Sequence, residues 1–349
     1  MILAFYNSLT VSNTSIKKDT SVFTIADGTV QHLLTNYLFS KNKFRAIVGE
    51  EEDCQVNIDQ LPYTVNKMDI ALEYKELVDE AKLNMLSLSQ EISSCEFYKS
   101  ITIFIDPIDG TKEFASGMGE QCTICIGFAD ESGDPVAGVV YRPMSLPSAT
   151  HLGPTWAVGS KSEGYMDCHL DLSSRTGIGL LTSNGNISPF VVALMQQLGY
   201  ERIKSGGAGN KMLMLLEGKG TAYIQDRGLS RWDTCAAQAC IEARGGTVCK
   251  LTSFLRSEGK EDGYTYLESK TNLDFEQGEA NITIYNARPS VEVRKGQPTR
   301  RASDVMEVKA YCNLCGLLAL PHEMNTVENK KSILEAAKAA SEVSAPAYD

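Results

Sequence analysis

Residues 101–114 read I-T-I-F-I-D-P-I-D-G-T-K-E-F, and no other stretch restricts the fold as tightly. Five apolar or β-prone residues, Ile101 to Ile105, are bounded by turn residues and predict a short buried strand. That strand delivers two carboxylates, Asp106 and Asp109, at its C-terminal end. Pro107 fixes φ and has no N–H, so regular pairing is expected to stop there. Gly110 opens backbone geometries that other residues resist. Two acids three residues apart across a tight turn are brought toward one point, and like charges so confined repel unless a cation lies between them. A hard divalent ion held by oxygen is the chemistry this pattern serves. A surface turn capping a helix is the plain structural alternative.

Acids recur in similar settings elsewhere. Ala46-Ile47-Val48 predicts a short strand ending at Gly49, followed directly by Glu50, Glu51, Glu52 and Asp53. Four acids in a row are usually a solvated face, but this run repeats the strand-then-acid layout of Asp106. Asp27 opens an amphipathic helix over 26–40, carried by Val30, Leu33, Leu34, Tyr37 and Leu38, where the helix dipole favours a carboxylate. Asp233 is placed in the first turn of R-W-D-T-C-A-A-Q-A-C-I-E-A-R-G-G, a helix of small residues ending at Gly245. Helix capping accounts equally for Asp27 and Asp233. Small residues also permit close backbone approach, which suits an acid aimed at a buried site.

The other elements alternate. A long helix is expected over 69–94, and strands over 121–128 and 136–141 form a hairpin. The Gly/Ser-rich stretch 153–164 reads as the seam between two halves of one domain spanning 1–349, about 1–158 with the metal site and about 159–349 beyond it. A strand over 177–182 precedes a helix opened by Ser188 and Pro189 and closed by Gly199. S-G-G-A-G-N-K (205–211) opens the next helix as a phosphate cradle in principle, although its spacing matches neither nucleotide-binding motif. A strand over 220–225 comes next. Residues 252–310 are polar, with a basic cluster at Arg294, Lys295, Arg300 and Arg301, and read as an insertion. A late strand over 316–320 and a surface helix over 328–340 complete the chain. The pattern predicts an α+β fold, layered and with mixed sheets, with ligand sites at strand ends.

With 349 residues, 43% of them hydrophobic and 22% charged, the chain suits a soluble globular protein. A net charge of −11 gives no basic field for a nucleic acid polymer or an anionic membrane. The N-terminus lacks the pattern of a signal peptide, and no run approaches the roughly 18 apolar residues that span a bilayer. A cytoplasmic monomer is the expectation. Ten cysteines are scattered along the chain. The C-x-x-C pair Cys122/Cys125 falls in a strand-like run, where residues three apart point to opposite faces. Cys312/Cys315 has no histidine pair nearby, so buried reduced thiols are expected rather than zinc. Only four histidines occur, and scattered carboxylates suit Mg²⁺ better than zinc.

Three blocks, G-E-E at 49–51, D-P-I-D-G-T at 106–111 and W-D-T-C-A-A at 232–237 with G-G at 245–246, resemble the ordered signature of the inositol monophosphatase superfamily. The resemblance covers roughly residues 20 to 250. It implies the layered α/β/α/β/α fold and a Mg²⁺-dependent, Li⁺-inhibited phosphomonoesterase that uses metal-activated water. D-G-T-K-E-F and G-G-A-G-N-K are similar to the 3′(2′),5′-bisphosphate nucleotidase branch, which acts on adenosine 3′,5′-bisphosphate. The insertion resembles the inositol polyphosphate 1-phosphatase branch, which acts on inositol 1,4-bisphosphate. A fold retained as a non-catalytic metal-binding scaffold is the alternative of another class. Position by position, the resemblance makes Glu50, Asp106, Asp109, Asp233 and the carbonyl of Ile108 ligands for two or three metal ions. Thr111, with Glu51 or Asp27, would orient and deprotonate the attacking water. Gly110, Ser183, Gly207 and Lys211 would contact the substrate. The loop T-S-N-G-N (182–186) departs from the nucleotidase branch, lacking its histidine.

Overall fold

The apolar run after Ser100 folds as the strand Thr102–Asp109, buried along its whole length. The computed structural model describes residues 1–10, 13–17, 22–39, 43–51, 53–92, 95–144, 153–172, 178–226, 229–256, 263–267, 311–313 and 316–346. Ile103, Phe104 and Ile105 are fully buried, each stabilising the fold by roughly 1.5–3 kcal/mol relative to exposure. The strand is the second from one edge of a six-stranded mixed sheet, whose edge strand there is Ala46–Gly49. It runs parallel to Ala46–Gly49 and antiparallel to Thr123–Ala129. Contrary to expectation, pairing does not end at Pro107. Asp106 stands opposite Cys125 and Asp109 opposite Thr123, with an irregularity between them. The missing proline donor is absorbed in a bulge, which re-aims the two acids.

Pro135–Arg142, Thr155–Ser160 and Tyr165–His169 extend the same sheet outward by antiparallel pairing. This corrects the expected seam, because the stretch 153–164 belongs to the first sheet. Of its three glycines, Gly159 serves close contact. Gly127, Gly138 and Gly159 pair directly across three strands, and a Cβ on each would strike Cys235, Ala236 and Cys240 respectively. The helix Cys235–Ala243 therefore lies against a groove of bare backbone.

That helix and Ala208–Leu216 form the layer between the two sheets, where one core joins Phe104, Val140 and Ala157 to Met212, Cys240, Tyr223 and Val248. The second sheet has five strands in the order Glu201–Lys204, Gly179–Thr182, Ala222–Gln225, Leu317–Leu320 and Thr247–Lys250. The first three are mutually parallel, and Leu317–Leu320 is antiparallel to both its neighbours. Its outer face is covered by Pro189–Leu198 and Val327–Val343. Pro189–Leu198 begins at a Ser188 cap and ends at left-handed Gly199, as expected. The C-terminal helix is not confined to the surface: Ile333, Leu334, Ala336, Ala337 and Ala340 are buried. Ile25–His32, its continuation Leu33–Leu38 and Lys75–Glu91 cover the far side of the first sheet. The order is helix, sheet, helix, sheet, helix. Of the expected insertion, residues 252–256 complete the helix Leu251–Arg256 and 263–267 are described. The basic cluster, Glu52 and Cys315 lie outside the described residues. No helix among the described residues is long and apolar enough to cross a membrane.

Candidate metal centre

Two carboxylates of the strand Thr102–Asp109 meet a third from a distant part of the chain where that strand ends. One oxygen from each of Asp106, Asp109 and Asp233 lies within 4.8 Å of the others. Asp106 is fixed by the bulge, its Oδ1 accepting from the Ile108 amide at 3.1 Å. Asp109 accepts from Thr123 Oγ1 at 2.9 Å and from the amides of Ala208 and Gly209 at 2.9 and 2.7 Å. Asp233 accepts from the Ser230 amide at 2.5 Å in the turn before the helix Cys235–Ala243. It neither lies in that helix's first turn nor caps it, since the N-cap is Thr234. The glycine groove beneath the helix sets how near this acid comes to the sheet.

Such a cluster is costly without a counter-charge. Burial, then neighbouring acids, pushes the Asp106 carboxyl well above its ordinary range. Burial and Asp109 push Asp233 up to about 7. Asp106 and Asp233 act directly on one another, as their shifts reflect. Burial also raises Asp109, while Lys211 and the loop amides pull it back. Three closely spaced, oxygen-only ligands, two of them buried and the third partly so, fit a hard divalent cation that offsets their mutual repulsion. Glu50 stands outside the tight group but lines the same cavity of about 310 Å³ with Asp106, Ile108, Asp109 and Asp233. All four acids therefore line one cavity.

Asp27 and Thr111 form the next group. The Thr111 hydroxyl lies 2.9 Å from Asp27 Oδ1 and 3.0 Å from the Ile108 carbonyl, and one proton serves both acceptors. Asp27 also accepts from the amide and hydroxyl of Thr24, at 2.8 and 2.6 Å, completing a capping box. It is both a helix cap and a partner of the cleft threonine. Burial pushes its carboxyl up to about 6. Glu51 is buried, its amide bound to Gln31 Oε1 at 2.9 Å, and burial with Glu50 beside it pushes its carboxyl up to about 7.

Gly110 has φ +93 and starts the helix Thr111–Ala115, which turns the Thr111 hydroxyl back to Asp27. Gly207 has φ +61 and would meet Asp109 Oδ2 at 2.9 Å if it carried a Cβ. The loop 205–211 does cradle an anion at a helix start, and that anion is Asp109. The Lys211 ammonium is buried, donates to the Gly207 carbonyl at 2.7 Å and lies 5.1 Å from the Tyr223 ring. Its charge thus supports Asp109 from behind. Ser183 lines no part of the cavity described above; its carbonyl accepts from Arg202 Nη2 at 2.9 Å. Two participants escaped sequence reading. Thr123 holds Asp109, and Lys17 bridges Glu50 at 2.9 Å and Glu51. Neither carries a motif, and only the fold brings Lys17 to acids 33 and 34 residues away.

The family model for inositol monophosphatase matches residues 2–274. The human 3′(2′),5′-bisphosphate nucleotidase 1 is 29% identical over 242 residues, covering 67% of this chain and 72% of its own. Inositol monophosphatase 3 of Xenopus laevis is 30% identical over 241 residues, covering 65% and 62%. The Golgi-resident adenosine 3′,5′-bisphosphate 3′-phosphatase of Bos taurus is 27% identical over 205 residues, covering 53% and 51%. Among solved structures, the Thermotoga maritima IMPase superposes with a TM-score of 0.52 at 14% identity, covering 97% of this chain and 93% of that one, a likeness of fold. With its layered sheets and clustered acids, this chain belongs to the inositol monophosphatase family.

Proposed function

We propose that the protein is a Mg²⁺-dependent, Li⁺-inhibited phosphoric monoester hydrolase that removes the 3′-phosphate of adenosine 3′,5′-bisphosphate. The observation that carries this reading is the Asp106–Asp109–Asp233 cluster, in a chain similar to human and bovine phosphatases named for such nucleotides. Glu50, Asp106, Asp109, Asp233 and the Ile108 carbonyl would hold the cations. When bound, magnesium supplies Lewis-acid polarisation of the phosphoryl group and charge neutralisation. The chain's own residues orient and take the proton. With Asp27 ionised, Thr111 donates to Asp27 Oδ1, leaving its oxygen lone pair to accept from the attacking water. Raised acids near pH 6 to 7, at Asp27 and Glu51, are matched to accept a proton near neutrality. Asp109 stays fixed by Thr123 and the loop amides, so little reorganisation accompanies the reaction.

The 30% identity to an inositol monophosphatase supports a second reading, hydrolysis of an inositol phosphate, for which inositol 1,4-bisphosphate is the proposed substrate. The proposed setting is a monomer in the cytoplasm; the eight cysteines among the described residues that are free thiols fit a reducing compartment. Phosphate release from adenosine 3′,5′-bisphosphate, inositol 1,4-bisphosphate and inositol monophosphate, with Mg²⁺ and with added Li⁺, tests both readings. The first expects fastest release from the nucleotide and loss of rate with Li⁺. No release from any of the three would leave only a metal-binding scaffold.

A further inference from the structure

Five acids line the cleft: Glu50, Asp106, Asp109, Asp233 and Glu113. Glu113 is the one with no place in the metal cluster or beside Lys17. It lies two residues after Thr111 in the helix Thr111–Ala115, so the two side chains leave the axis roughly 200° apart at 3.6 residues per turn. Thr111 faces Asp27. Glu113 faces the opposite wall, where its Oε1 accepts from Asn184 Nδ2 at 3.0 Å. Gly206 packs directly on its side chain, since a Cβ there would lie 2.3 Å from Glu113 Cγ.

That wall is tied together by Gln121, whose Oε1 accepts from Asn184 Nδ2 and from the Gly206 amide, both at 2.7 Å. Asn184 comes from the loop 182–186, and that loop is clamped by Arg202 through the carbonyls of Ser183 and Gly185 at 2.9 and 2.5 Å. The carboxylate is therefore held in place by one oxygen. Among the described residues, Asn184 is its side-chain hydrogen-bond partner, which leaves Oε2 for a ligand.

We infer that Glu113, positioned by Asn184, is a specificity residue that accepts a hydrogen bond from a hydroxyl on the carbon next to the phosphorylated one. This rests on the phosphomonoesterase reading. In-line attack puts water and leaving oxygen on opposite sides of the phosphorus. Water belongs on the Thr111–Asp27 side, so the alcohol portion of the ester lies on the Glu113 side. A fixed anion there welcomes an O–H donor and repels a second phosphate at the same carbon. A site built to bind a hydroxyl discriminates against an analogue lacking it, because its partly buried acceptor then loses that partner.

The test compares kcat/KM for adenosine 3′,5′-bisphosphate and its 2′-deoxy analogue in saturating Mg²⁺. Wild type is expected to favour the hydroxyl-bearing substrate by roughly 10- to 100-fold, the value of one hydrogen bond to a charged acceptor. Glu113→Ala should bring that ratio toward one, and Glu113→Gln, which keeps the size and loses the charge, should fall between; circular dichroism checks that both variants are folded. A wild-type ratio near one, or a ratio unchanged in Glu113→Ala, overturns the inference alone. Turnover of neither substrate by wild type removes the nucleotide reading itself.

Discussion

Substituting alanine for Gly138 tests how the fold sets the distance between Asp233 and the sheet. The added Cβ would lie 2.2 Å from the Ala236 carbonyl oxygen and 2.6 Å from its Cα, whereas ordinary contact begins near 3.4 Å. Both obstacles are backbone, so no side chain can swing aside. The helix Cys235–Ala243 must retreat by roughly 1 Å, and forced overpacking of this kind costs about 1–3 kcal/mol. A drop in Tm of a few degrees is the thermodynamic expectation. The catalytic effect should be larger. Asp233 precedes this helix by two residues and belongs to the cluster with Asp106 and Asp109, and misplacement by about 1 Å far from the reacting atoms can cost on the order of 100-fold in rate. Thermal unfolding in EDTA and in Mg²⁺, with kcat/KM from phosphate release, measures both. The Mg²⁺-induced rise in Tm should shrink along with the rate. A Gly138→Ala protein with wild-type Tm, Mg²⁺ response and rate would refute the argument that the glycine row sets the site.

Two further outcomes follow from the site. Asp106→Asn should abolish turnover by removing a ligand, and it should leave metal-free Tm equal or higher, since a neutral amide replaces a carboxyl that resists ionising among its neighbours; near-wild-type turnover would contradict the assignment. Metal-free stability should fall as pH rises. Asp27 moves from the ordinary 3.8 to about 6 in the fold, so the folded state holds more protons than the unfolded one between those values. The stability contribution, about 3 kcal/mol for Asp27 alone, is complete below pH 4 and lost as pH passes through 6, with Glu51 and Asp233 extending the loss to about 7. Melting in EDTA at pH 5 and pH 8 checks the sign, and a higher Tm at pH 8 would contradict it.

Local chemistry made much of this legible in the sequence. The Ser188–Pro189 start and Gly199 stop announce their helix because capping and left-handed backbone are properties of single residues. The strand before Asp106 announces itself because five apolar residues lie between turn signals. What stayed hidden depends on partners distant in the chain. Glycine at 159 reads as a flexible seam until Cys240 is placed against it. The Lys- and Glu-bearing C-terminal helix reads as a surface element because small alanines carry its buried face. The loop 205–211 was recognised as an anion cradle, but the anion, Asp109, lies about 100 residues earlier. Its lysine is drawn inward for the same reason.

The account rests on Asp106, Asp109 and Asp233 holding a shared cation, and direct calorimetric titration of the metal-free protein with Mg²⁺ tests that most plainly. Saturable binding in wild type, lost or weakened at least tenfold in Asp233→Asn, is the expected result. Equal Mg²⁺ affinity in the two folded proteins would place the cation elsewhere and contradict the account.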